Sequence, residues 1–156
     1  LKHLNYKIND SHIKTGLSNV SNNTGLQGRW QVLQRKPMII CDTAHNEAAL
    51  REVISQLMDM QYSDLHFIIG FSNDKNLKKI SKIFPEDSKY YFVQSKVGRA
   101  RDAKEVRDIF KLNNRCGDYY KSIENTIKYV KGVSKENDII FIGGSTFVVS
   151  EIFDKN

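Results

Sequence analysis

Four short runs in this 156-residue sequence carry side chains able to bind or orient a charged substrate. Asp42-Thr43-Ala44-His45-Asn46 supplies a carboxylate and an imidazole, and Phe71-Ser72-Asn73-Asp74-Lys75 supplies a second carboxylate beside a lysine. Ser95–Arg101 contains Arg99 and Arg101, and Gly143-Gly144-Ser145-Thr146 enters a hydroxyl through two glycines. A guanidinium grips carboxylates and phosphates through paired N–H groups. An imidazole titrates near neutrality, so it can meet an amine without adding fixed negative charge. A helix start reached through glycines offers free N–H groups to an anion. Each run also has a plainer reading: a turn carboxylate, a turn histidine, solvated arginines and a serine N-cap. Their shared place in the fold sets the functional reading apart.

That place follows from the elements around them. Met38–Cys41, Leu65–Gly70, Tyr90–Val93 and Asp138–Gly143 are short apolar runs suited to buried strands. Between them, Ala49, Leu50, Val53, Ile54, Leu57 and Met58 repeat at helical spacing behind a possible Asn46 cap. Leu77, Ile80, Ile83 and Phe84 line the next helix, which Pro85 ends. Ala103–Leu112 is amphipathic, Ile123, Ile127 and Val130 mark a further helix, and Ser145–Phe153 closes the chain. Tyr119 and Tyr120 fall in a short strand or loop. Strands alternating with helices predict a Rossmann-like α/β fold: a mostly parallel sheet with helices on both faces. Ligands of such sheets bind beyond the carboxyl ends of the strands, and all four polar runs lie there. Residues 1–24 differ, being rich in Asn and Ser, and read as a helix around Tyr6–Leu17 and a linker ending at Gly25.

Composition narrows the classes. Apolar residues at 40% and charged residues at 27% are globular proportions, and no run approaches the ~20 apolar residues of a membrane span. Cys41 and Cys116 are too few for a disulfide scaffold and lack metal-ligand spacing. The reading is a cytoplasmic protein without a membrane or nucleic-acid partner. The net charge of +6 attracts anions, but the lysines are scattered at helical spacing and read as solvated faces. No phosphate-binding loop, dinucleotide fingerprint, nucleophile elbow or zinc cluster is present in the sequence. No residue is therefore assigned as catalytic or as a metal ligand, and the rim reads as half of a site. A chain opening at Leu1 reads as part of something longer.

Gly28-Arg29-Trp30-Gln31, Pro37, the following strand and Asp42-Thr43-Ala44-His45-Asn46 resemble the G-R-x-[QE] … D-x-A-H-N pattern of folylpolyglutamate and dihydrofolate synthases. The resemblance is to their C-terminal domain, the third domain of the Mur ligase superfamily. It continues through Gly70-Phe71-Ser72-Asn73-Asp74-Lys75-Asn76, Arg99-Ala100 and the stretch from Gly143 to Glu151, covering about residues 25–153. Thr43 and Glu47 depart from it, standing where the family usually has glycine and proline. The resemblance implies that residues 1–24 end a preceding ATPase domain and its linker, and that 25–156 form the glutamate ligase domain. It implies ATP-dependent joining of L-glutamate to a carboxylate of dihydropteroate or a reduced folate through an acyl phosphate. Arg29 and Asp42 would then bind ATP, through its phosphates and ribose, and His45 and Ser145 would bind glutamate. Mg2+ ligands would lie in the ATPase domain, without which the fragment is expected to be inactive. Asp74, Lys75 and Arg99 receive no role. The competing readings are the C-terminal domain of a peptidoglycan Mur ligase and a non-catalytic basic α/β binding module.

Overall fold

The computed structural model describes residues 6–154. Residues 1–5, at the head of the expected linker segment, and 155–156, at the tail of the expected ligase domain, lie outside the described residues. The helix expected at Tyr6–Leu17 runs instead over Asp10–Ser18 (α1), because the Asn9 side chain accepts from the His12 N–H and sets the start. The expected linker is itself a helical turn, Val20–Thr24 (α2), closed by Gly25 in the left-handed conformation. Neither helix buries a residue.

The chain then enters a six-stranded sheet: β1 (Gln31–Arg35), β2 (Met38–Asp42), β3 (Leu65–Ile69), β4 (Lys89–Val93), β5 (Gly117–Tyr120) and β6 (Ile139–Gly143). Its spatial order is β1-β2-β6-β3-β4-β5, parallel except for β1, which pairs antiparallel with β2. β1 is absent from the sequence-based expectation. As an edge strand it buries no residue fully, so Gln-Val-Leu-Gln-Arg carries no continuous apolar run. The central strands read clearly because both faces are covered. Along β6, Ile139 and Phe141 enter one core layer while Ile140 and Ile142 enter the other.

The first layer packs α3 (Glu47–Met58), α4 (Leu77–Ile80) and α5 (Ala103–Lys111) over Phe67, Phe92 and Phe141. The second packs α6 (Ile123–Val133) and α7 (Thr146–Phe153) over Cys41, Ile68 and Ile142. The helix expected through Phe84 is only one α-turn followed by a 3-10 turn at Ser81–Ile83. Phe84 itself is extended, the conformation forced on a residue preceding proline. Met58, expected on the apolar face of α3, is exposed.

At the amino ends of the strands, a wholly buried His66 lies between the Tyr91 hydroxyl (3.2 Å from Nδ1) and Asp138 (3.3 Å from Nε2). Burial holds the His66 pKa below its usual value, the nearby Lys89 ammonium adds to this, and Asp138 and Asp64 oppose it. The folded state therefore binds this proton less well than the unfolded chain. Stability present above the unfolded value of about 6.5 is expected to fall as pH drops through and below it. Melting temperatures across that window should decline more steeply for the wild type than for His66→Gln; equal slopes would contradict the assignment.

Candidate functional site

The glycine turn before β1 is tied to the end of β2. The Gly28 carbonyl accepts from the Thr43 N–H (2.8 Å), and the Gly28 N–H donates to the Gln31 side chain (2.8 Å). Gly28 has φ +69°, and a Cβ there would lie 2.7 Å from Val149 of α7. Asp42, buried at the tip of β2, accepts from the Trp30 N–H through Oδ2 and from the Ala44 N–H through Oδ1, both at 2.7 Å. Trp30 adopts φ +43°, uncommon for a bulky residue, and this bond holds it there. A nucleotide ribose would have to share a carboxylate already engaged at both oxygens. Arg29 projects from this turn, exposed and without an ion pair among the described residues.

Beside the turn, His45, Ser72, Asp74, Lys75, Arg99, Ser145, Thr146 and Phe147 line one open cleft of about 290 Å³. His45 and Ser145, expected to share a ligand, are thus brought together, and Asp74, Lys75 and Arg99 join them. Asp42 and Arg29 do not line this cleft. His45 Nδ1 is 2.9 Å from the Thr43 carbonyl, a contact that requires the proton on Nδ1. Of the two neutral tautomers, the one this contact selects has its lone pair on Nε2. Ser145 caps α7, its Oγ accepting from the Phe147 N–H (3.2 Å), which leaves its hydroxyl hydrogen to donate. Gly144 before it has φ +85°, and a Cβ there would lie 2.8 Å from the Gly70 carbonyl, so the turn into α7 needs glycine. Lys75 pairs with Asp74 at 2.8 Å, which holds the Asp74 carboxyl below its usual pKa. The Arg99 guanidinium stands 6.0 Å from the Phe147 ring centre.

Ser72 and Thr146 belong to the polar runs read from the sequence but received no role there, and sequence reasoning missed Phe147 as a lining residue. Ser72 carries a legible signal only in following β3 at its carboxyl end. Two other groups of reactive side chains are unsuited to chemistry. Burial, with the Asp42 charge behind it, pushes the Cys41 thiol up to about 12, so it supplies no thiolate. Asp64, His66 and Asp138 lie together at the opposite edge of the sheet, but Lys89 neutralises Asp64 (2.9 Å) and backbone N–H groups occupy both Asp138 oxygens. This set is satisfied without a metal ion.

Residues 28–146 match the family described as Mur ligase, glutamate ligase domain. The chain belongs to this family. The dihydrofolate synthase/folylpolyglutamate synthase of Buchnera aphidicola subsp. Schizaphis graminum is 26% identical over 147 residues, covering 93% of this chain and 34% of that protein. The enzyme of the same description from Bacillus subtilis is 24% identical over 148 residues, 93% of this chain and 33% of its own length. Among solved structures, a bifunctional folylpolyglutamate synthase/dihydrofolate synthase with Mn, AMPPNP and L-glutamate bound superposes with TM-score 0.80 at 21% identity, over 95% of this chain and 35% of that one. The Mycobacterium tuberculosis folylpolyglutamate synthase complexed with ADP gives 0.81 at 14%, over 99% and 37%. The chain thus spans about a third of these relatives. Among the described residues no helix is long and apolar enough to cross a membrane.

Proposed function

We propose that this glutamate ligase domain holds and aims L-glutamate in an ATP-dependent ligase that extends a folate or pteroate carboxylate in the cytoplasm. The carrying observation is the charge pattern of the cleft: Lys75 and Arg99, one carboxylate at Asp74, and the start of α7 at Ser145. Glutamate brings the complementary pattern of two carboxylates and one ammonium. Ser145 and the free N–H groups of α7 suit one carboxylate, and the cations suit the other. The His45 Nε2 lone pair accepts from the amino group and orients it.

The acceptor carboxylate is a poor electrophile until ATP phosphorylates it. The glutamate ammonium first gives a proton to solvent; the neutral amine then attacks the carbonyl carbon of the acyl phosphate, the C–O bond to phosphate breaks, and the surplus proton on nitrogen leaves with inorganic phosphate. Chemistry of this kind depends on positioning and charge. Arg29 reaches the ATP phosphates from the exposed turn, and Asp42 fixes that turn and faces the ribose. The phosphate-binding loop and Mg2+ ligands come from an ATPase domain preceding residues 25–156, to which residues 1–24 lead. The folate, dihydropteroate or reduced, sits largely against that domain.

Steady-state kinetics of the complete ligase test this assignment. Ser145→Ala and His45→Ala are expected to raise the KM for glutamate about tenfold or more while leaving the KM for ATP nearly unchanged. Ser145→Ala should also lose roughly 0.5–2 kcal/mol of stability through the helix cap. Equal effects on both substrates would mean that these residues only shape the rim. Turnover with a muropeptide acceptor in place of folate would assign the domain to a peptidoglycan ligase.

A further inference from the structure

We propose that Arg101, which lies outside the cleft, is a positioning residue that clamps two loops and fixes the separation of Lys75 and Arg99. This rests on the glutamate reading above. The Arg101 side chain is largely buried, 15% exposed. Its Nη2 donates to the carbonyls of both Asn73 and Lys75, the latter at 3.2 Å. Its Nη1 donates to Glu105 on α5 (2.9 Å), which anchors the guanidinium from behind. The backbone continues the clamp: Arg101 N–H donates to the Phe71 carbonyl (2.8 Å) and Asn73 N–H to the Arg99 carbonyl (3.0 Å), around a bridge between Ser72 and Ala100.

Lys75 and Arg99 sit on different loops, and two cations facing one cleft repel each other when it is empty. Neither loop belongs to a helix or strand; the backbone bonds around the Ser72–Ala100 bridge tie them as far as Asn73 and leave Lys75, two residues further on, without a backbone constraint across the loops. Arg101 supplies that constraint, joining the loop of Lys75 through two carbonyls and the segment of Arg99 through the chain. A planar fork can satisfy this geometry, whereas an ammonium on a flexible stem cannot. A fixed cation pair also sets how far the second carboxylate lies from Ser145 across the cleft, so the clamp should help separate glutamate from aspartate, which is shorter by one methylene.

Arg101→Met keeps the buried stem and removes the fork; Arg101→Lys keeps the charge alone. In the complete ligase both are expected to raise the KM for glutamate about tenfold, leave the KM for ATP unchanged and narrow the preference for glutamate over aspartate. In this chain by itself, the Asn73 and Arg101 amides should exchange hydrogen faster in both variants. Unchanged exchange overturns the clamp. Faster exchange with unchanged glutamate KM and unchanged discrimination overturns the positioning role and leaves a loop tie. Full recovery of glutamate KM by Arg101→Lys also overturns it, since charge alone would then suffice. A wild-type ligase lacking glutamate-dependent turnover would refute the functional reading and with it the positioning role, while the exchange result still decides the clamp.

Discussion

Arg29→Ala is expected to slow ATP-dependent turnover of the complete ligase by roughly 30- to 900-fold, corresponding to about 2–4 kcal/mol of lost transition-state stabilisation. The same change should leave the thermal midpoint of the chain where it was. Arg29 is exposed and has no ion-pair partner among the described residues, so its removal takes nothing from the fold. Its neighbours are tightly set, with Gly28 bound to Thr43 and Trp30 bound to Asp42. A mobile cation would lose conformational entropy on meeting a phosphate; one carried on a fixed turn loses less. Its contact forms when nucleotide and domain come together, and so weighs on the transition state. An Arg29→Ala ligase that keeps its kcat/KM but melts earlier would make the arginine structural.

Asp42→Ala should show the reverse balance, with the largest stability loss on the rim. Two backbone N–H groups lose a charged acceptor at 2.7 Å, and a hydrogen bond to a charged group contributes about 1.5–3 kcal/mol. The two together predict a loss of about 3–6 kcal/mol in urea unfolding, and the left-handed Trp30 conformation loses its restraint as well. Asp42→Asn keeps a single acceptor and should fall between the two. Kinetically, Asp42→Ala is expected to impair use of both ATP and glutamate, since the carboxylate ties the Arg29 turn to the strand end that carries His45. A variant that unfolds with the wild type and loses only ATP affinity would give Asp42 a ribose contact and no part in the turn.

Much of the fold and half of the candidate site were legible in the sequence, for local reasons. Leu65–Ile69 and Ile139–Gly143 read as central strands because residues buried on both faces must all be apolar. Asn46 and Ser145 read as caps because a short polar side chain before an apolar repeat answers the orphan N–H groups of a helix start. His45 and Ser145 share a cleft because a parallel sheet carries all its carboxyl ends to one edge.

What the tertiary structure alone decided is which polar groups are already engaged. Arg99 and Arg101 are two residues apart and chemically identical, yet one faces the cleft and the other bonds carbonyls 26 and 28 residues away in the chain. The sequence leaves Asp42 open as a turn carboxylate or a free one on the rim, and Trp30, 12 residues earlier, is brought to its Oδ2 only in the folded chain. β1 exists through its pairing with β2, since its own residues have too little apolar periodicity to announce a strand. Hydrophobic pattern and capping act over a few residues and are written in the local sequence. The partner of a buried charge depends on distant segments meeting in space, and so belongs to the folded molecule.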